Sequence, residues 1–148
     1  MNLFKRILIV CIGNICRSPT AVTLFREAMA GTEIKIDSAG LAAVKDHPME
    51  ALAKVVLEEH GHTPIDHFGR QLTKEIVAES DLILVMEKHH LDGVFSISPE
   101  ARGKVFLLGK WQNDREIADP YRQGKPAFVH TYALINEASH AWALRFAR

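Results

Sequence analysis

The residues that could do chemistry crowd into one short stretch, Cys11-Ile12-Gly13-Asn14-Ile15-Cys16-Arg17-Ser18-Pro19, which holds both cysteines of the chain. Gly13 permits a sharp turn with no Cβ in the way. Asn14 tolerates left-handed backbone and can tie down its own turn. Successive backbone N–H groups can then point inward as a nest for an anion. The positive end of the helix that follows aims at the same spot, and Arg17 adds a planar fork that matches two oxygens of a phosphate. These features all favour Cys11 as a thiolate. A thiolate facing a phosphate cradle is a nucleophile for phosphoryl transfer. The Ser18 hydroxyl can cap the helix, donate to the sulfur, or alternate between the two. Cys16 either packs within the loop or has a redox role.

Taken singly, each residue has a plainer use: a small core hydrophobe at Cys11, turn chemistry at Gly13-Asn14, a surface cation at Arg17. Their conjunction after an apolar strand and before a helix is what points to catalysis. Breaking a phosphate monoester also requires a proton donor for the leaving oxygen. Asp119-Pro120-Tyr121 is the best candidate. Pro120 stiffens a loop between the last strand and the last helix, and Tyr121 can pack along a substrate ring.

The elements that must position these groups alternate strand and helix. Ile7-Leu8-Ile9-Val10 is a continuous apolar run, as in a parallel strand covered on both faces. Ser18 reads as an N-cap before Pro19, and Gly31 closes that first helix. Glu33 to Asp37 alternates as an edge strand. Pro48 opens a second helix that ends at His60-Gly61, and a short one spans Thr73 to Ser80. Leu82 to Met86 is a buried strand, Glu87 to Phe95 a helix, and Val105 to Leu108 the fourth strand. From Phe128 a long helix carries Phe128, Tyr132, Ile135, Trp142 and Phe146 on one stripe. The expected fold is α/β: one domain over residues 1–148, with a four-stranded, mostly parallel sheet and helices on both faces. In such sheets ligands bind beyond the carboxyl ends of the strands, where strand order reverses, so the loop after the first strand is the expected site.

The chain has 148 residues, 47% hydrophobic and 24% charged, with formal net charge +0. A chain of this length can bury a sizeable core. Zero net charge excludes a global basic field for nucleic acid, so an anion site must be local. No apolar run reaches the roughly 20 residues that span a bilayer, so no direct membrane insertion is expected. Arg6 to Val10 is too short for a signal-peptide core, and a cytoplasmic protein is expected. Among the 8 histidines, His60 and His62 flank a glycine and His89-His90 are adjacent. Neither pair has helical ligand spacing, so both read as solvent-facing and no metal is expected.

With these residues in view, the chain resembles the low-molecular-weight protein tyrosine phosphatases. CIGNICRSPTA together with ADPYR carries the likeness, and DSAG at Asp37–Gly40 and HFGRQLT at His67–Thr73 follow in the order that family has. MEKHH, SPEARGKVFLLGKW and SAGL look most like its bacterial subgroup encoded with capsule and exopolysaccharide machinery. The resemblance implies that Cys11 is the nucleophile, that Arg17 binds the phosphoryl group, and that Asp119 is first general acid and then general base. It implies that Ile12, Gly13, Asn14, Ile15 and Cys16 supply cradle amides and that Ser18 assists the thiolate. Asn14, Ser18, Ser38 and His67 would hold the loop in shape.

Tyr121 would form one wall of the pocket. Eukaryotic members often place an aromatic residue after DSA, where this chain reads GLAAVKDHP, so Leu41 or Val44 is expected as the opposite wall. Arg122 stands where many eukaryotic members have a second tyrosine, and its charge favours acidic or multiply phosphorylated targets. No cofactor is implied. The implied partner is a phosphotyrosine protein, an autophosphorylated bacterial tyrosine kinase, acted on by a monomer. An arsenate reductase of the same fold needs further thiols to resolve its arsenic intermediate, and no cysteine follows Cys16. A non-catalytic phosphate-binding module would have little use for a thiol aligned with an acid.

Overall fold

The computed structural model describes residues 4–146. Strand β1 (Arg6–Cys11) leads into helix α1 (Arg17–Ala28), followed by β2 (Lys35–Gly40), α2 (Ala51–Glu59), α3 (Lys74–Glu79), β3 (Leu82–Val85), α4 (Lys88–Ile97), β4 (Val105–Leu107) and α5 (Lys125–Phe146). The four strands form one sheet in the order β2-β1-β3-β4, and every pairing is parallel. The expected α/β architecture is therefore present. The order reverses at β1, whose neighbours are β2 on one side and β3 on the other, so the segment leaving Cys11 emerges at the switch point.

Strand alternation sends Ile7, Ile9 and Cys11 into the core under α1, α2 and α5, and Leu8 and Val10 into the core on the other face with Val77 and Val94. From Ile7 to Val10 no residue is more than 2% exposed. Cys11 thus ends a strand whose register admits no slip, because a shift of one residue would swap both faces. The α5 stripe is buried from Phe128 to Phe146, and Trp142 Nε1 donates to the Leu108 carbonyl at 2.8 Å, anchoring that helix to the end of β4. Among the described residues no helix is long and apolar enough to cross a membrane.

Several sequence expectations need correction. Ser18 is not the N-cap: α1 starts at Arg17 with Cys16 in the cap position, and Ser18 lies buried inside the first turn. Its hydroxyl is engaged elsewhere, as shown below. The second strand begins at Lys35 and continues through Gly40, because the SAG segment pairs with Ile9, Val10 and Cys11 of β1. Helix α2 starts at Ala51 rather than at Pro48, and α3 spans Lys74–Glu79 with Thr73 outside it as the cap, its Oγ1 accepting from Ile76 N at 3.2 Å. Asn14 does adopt left-handed backbone (φ 59°), in keeping with the tolerance read from its type.

The histidines are not all solvent-facing. His90 is completely buried, and His60 stacks on Tyr132 at 4.2 Å between ring centroids. His62 bridges Glu27 Oε2 (2.6 Å) and the Tyr132 hydroxyl (2.8 Å). The partners of His60 and His62 lie far away in sequence, which residue spacing does not reveal.

Candidate active site

The loop between β1 and α1 is held from outside. The carbonyls of Cys11, Ile12 and Gly13 accept from the amides of Leu41, Ala42 and Val44 at 2.9, 3.0 and 2.9 Å. The Asn14 carbonyl accepts from His67 Nε2, and the Ile15 carbonyl from the Glu50 amide at 2.7 Å. Five successive carbonyls therefore face away from the loop's hollow. No amide from Ile12 to Cys16 donates to another group among the described residues. With the carbonyls turned outward, these N–H groups are left free to meet an anion.

Asn14 organises this turn. It is completely buried, and its amide donates to Ser18 Oγ (2.8 Å) and Ser38 Oγ (2.9 Å) while Oδ1 accepts from Arg70 N (2.9 Å). Because Ser18 Oγ accepts from Asn14, its own proton can point at Cys11 Sγ, 2.9 Å away. Asn14, Ser18, Ser38 and His67 thus come together as the sequence suggested. Burial lowers the pKa of His67 against the opposing pull of the Asn14 carbonyl, so the ring is a neutral N–H donor. Burial pushes the Cys16 thiol well up, with the charge of Cys11 acting in the same direction.

Arg17 is 2% exposed, unusual for an arginine, and its Nη1 donates to Glu87 Oε2 and to the Ile117 carbonyl, both at 2.7 Å. Two protons on Nη1 meet two acceptors. The Nε and Nη2 edge of the fork remains for a ligand, and Nη2 lies 4.0 Å from Asp119 Oδ2. The Arg17 guanidinium in turn holds the Glu87 carboxyl below its ordinary range, although partial burial works against this. Asp119 is half exposed, and its Oδ1 accepts from the Tyr121 amide at 3.0 Å, which ties the carboxylate to its own loop.

Cys11 to Arg17 form the floor of a cavity of about 240 Å³, and Ala42, Val44, Asp119 and Tyr121 form its sides. Val44 and Tyr121 are walls as expected. Leu41 is not: its side chain lies against Gly93, where an added Cβ would come within 2.8 Å of it, and Ala42 takes the wall position. Leu41 and Ala42 lie in the turn that follows β2, and only Ala42 reaches the cavity. Arg122 does not line the cavity either; its guanidinium sits over the Tyr121 ring at 5.1 Å, outside the pocket. The Val44 wall is backed by Gly69, where a Cβ would stand 2.1 Å from the Val44 carbonyl, so only glycine fits there.

Sequence reasoning missed Glu87, Ala42 and Arg70. For Glu87 a signal was available: an acid two residues beyond the end of a buried parallel strand lies at the same edge as the cysteine loop.

Residues 6–148 match the family "Low molecular weight phosphotyrosine protein phosphatase". The low molecular weight protein-tyrosine-phosphatase Etp of Escherichia coli (strain K12) is 45% identical over 145 residues, covering 98% of this chain and 97% of that protein. The crystal structure of the Erwinia amylovora tyrosine phosphatase AmsI superposes with a TM-score of 0.94 at 45% identity, over 99% of this chain and 95% of that one. Vibrio vulnificus Wzb, solved in complex with benzylphosphonate, gives a TM-score of 0.91 at 44% identity, over 96% of this chain and 99% of its own. The chain belongs to the low-molecular-weight protein tyrosine phosphatases, an enzyme family of phosphoric monoester hydrolases, and groups with the bacterial members to which its loop motifs pointed.

Proposed function

We propose that the chain hydrolyses protein phosphotyrosine through a cysteinyl-phosphate intermediate. Cys11 Sγ attacks phosphorus while the bond from phosphorus to the tyrosine oxygen breaks. Asp119 gives its proton to that oxygen, so that a neutral phenol leaves. The amides of Ile12 to Cys16 and the free edge of Arg17 take the charge of the equatorial oxygens. In the second step Asp119, now a carboxylate, takes a proton from water as the water attacks phosphorus. The sulfur–phosphorus bond breaks, releasing inorganic phosphate and the Cys11 thiolate. Ser18 donates to the sulfur whenever it carries charge.

The observation that carries this reading is the placement of Cys11, the outward-turned carbonyls and the Arg17 fork on one cavity floor, with Asp119 at 4.0 Å from Arg17 on the rim. The apolar sides, Val44 and Tyr121, suit an aromatic ring. Benzylphosphonate bound to Vibrio vulnificus Wzb is itself a ring carrying a phosphonate. By likeness to Etp, Wzb and AmsI the physiological substrate is an autophosphorylated bacterial tyrosine kinase governing capsule or exopolysaccharide production, met on its cytoplasmic side by a monomeric phosphatase. The test is to incubate the purified phosphorylated kinase of the same operon with wild type and with Cys11→Ser. Wild type should release phosphate. Cys11→Ser should instead hold the kinase in a complex that orthovanadate dissolves. Release of phosphate by Cys11→Ser would overturn the covalent route.

A further inference from the structure

His90 has no part in the reaction outlined above, yet it is completely buried and sits against the group that holds Arg17. The Glu87 amide donates to His90 Nδ1 at 3.2 Å. A backbone N–H can only donate, so Nδ1 is the acceptor and the ring proton is on Nε2. That Nε2 is buried with no aligned hydrogen bond, and it faces Glu87 Oε2 at 3.4 Å. The same oxygen receives Arg17 Nη1 at 2.7 Å. His89 Nε2 approaches it from the solvent side at 3.6 Å.

Glu87, His89 and His90 bring three donor atoms within 4.8 Å of one another, a grouping that also suggests a cation site. The tautomer argues against that use. A metal on Nε2 needs its lone pair, which moves the ring proton to Nδ1 and against the Glu87 N–H. The cation would also compete with Arg17 for the same carboxylate oxygen.

We infer that His90 is a positioning residue: its Nε2–H dipole holds the Glu87 carboxylate in the orientation that keeps Arg17 Nη1 engaged and the Nε and Nη2 edge of Arg17 turned to the phosphate. The arrangement is a chain of contacts from a buried ring through a carboxylate to the anion-binding fork. It is electrically suited to that task because the ring stays neutral. Burial is the main cause that lowers the pKa of His90 to about 4; the charges of Arg17 and His89 act the same way, and Glu87 and Glu116 oppose them. A neutral donor strengthens the carboxylate's hold without cancelling the charge that Arg17 needs. The two ring nitrogens thus do separate jobs: Nδ1 caps the start of helix α4, and Nε2 steers the carboxylate.

This inference rests on Arg17 as the phosphate-binding residue. Two substitutions separate the two jobs. His90→Asn keeps an acceptor near the Nδ1 position and loses the distal donor. His90→Gln keeps a donor near the Nε2 position and loses the proximal acceptor. The readouts are the KM for p-nitrophenyl phosphate, the inhibition constant of inorganic phosphate, and the melting temperature.

His90→Asn should raise both constants about five- to tenfold, while His90→Gln stays within about twofold of wild type. Equal kinetic effects from the two, or a larger one from His90→Gln, would make His90 a packing or capping residue and overturn the inference. Arg17→Ala is the control for the underlying reading. If Arg17→Ala leaves the phosphate constant unchanged, that reading falls. If it abolishes phosphate binding while His90→Asn matches wild type, only the inference about His90 falls. Should neither His90 variant fold, nitrogen NMR of wild type labelled in histidine decides. The Nε2–H tautomer with a shift on phosphate addition supports the inference, and the Nδ1–H tautomer or an unmoved signal overturns it.

Discussion

The two sides of the cavity are built in opposite ways. The cysteine loop is buried, and five successive carbonyls plus the Asn14 side chain tie it to segments distant in sequence. The Asp119 loop is half exposed, and its ties are local: Asp119 Oδ1 to the Tyr121 amide, and the Asp119 carbonyl to Gln123 Nε2 at 3.0 Å. Among the described residues Arg17 joins the two, through its 2.7 Å bond to the Ile117 carbonyl and at 4.0 Å from Asp119. Preorganised donors have to be rigid, because their worth lies in not reorganising when charge develops. A group that hands over a proton and later takes one back must instead meet the leaving phenol and then water. The difference predicts that changes in the loop act on binding and chemistry for every substrate, whereas changes at Asp119 depend on the leaving group.

The sharpest way to break the comparison is Cys11→Ser. It should lower turnover by at least about ten-thousand-fold, as losing a nucleophile does in other covalent hydrolases. Phosphate affinity by calorimetry should remain within a few-fold, since the nest and Arg17 persist. Arg17→Lys should cost about a hundred- to a thousandfold in kcat/KM, because a point charge cannot meet Glu87, the Ile117 carbonyl and two phosphate oxygens together. The loss should be similar for phosphotyrosine and for activated aryl phosphates.

Asp119→Asn should cost about a hundredfold on phosphotyrosine. The tyrosine phenol has a pKa of about 10 and leaves poorly as an anion. The cost should shrink steadily as the phenol becomes more acidic. Parallel leaving-group plots for wild type and Asp119→Asn would show that the acid loop is only a turn and erase the difference between the two sides.

Acid should damage the rigid side first. His67 and His90 both have lowered pKa values in the fold, mainly through burial. As pH falls below the ordinary histidine value of about 6.5, the unfolded chain takes up these protons while the folded chain does not. Their stabilising effect is therefore complete above that pH and declines as pH falls, with the His90 share ending at about 4. That share is on the order of 3 kcal/mol. Glu87 adds its own loss only below the ordinary carboxylate range. Urea unfolding between pH 7 and 4 should show this slope in wild type and a flatter one in His90→Gln; equal slopes would contradict it.

The smallest effect is expected at Arg122, which stands outside the cavity over Tyr121. Arg122→Glu should lower kcat/KM for acidic phosphopeptides by about threefold at low salt, and by less as salt screens the charge. An unchanged ratio between acidic and neutral peptides would remove Arg122 from substrate recognition.

The sequence by itself determined the elements and the chemistry of one loop. Ile7 to Val10 can only be a strand buried on both faces, and a cysteine, a left-handed Asn14 and Arg17 between such a strand and a helix leave few other uses. These are local matters, decided by residue type and spacing within one turn of chain. That Asp119 lines the same cavity is legible too, because a proline-stiffened acid precedes the last helix.

The tertiary structure alone decided what surrounds that loop. Ser18 reads as a cap from its neighbours, but it serves Cys11 and Asn14 because the loop curls back over it. Leu41 and Ala42 cannot be told apart by position; the pairing of Gly40 with Cys11 decides which of the two faces the cavity. Glu87 and His90 lie 70 or more residues from Arg17 along the chain, and only the pairing of β3 beside β1 brings the two ends together. Which charge neutralises a buried arginine depends on distances between strand ends, and these are set by the parallel register of the sheet rather than by any spacing along the chain.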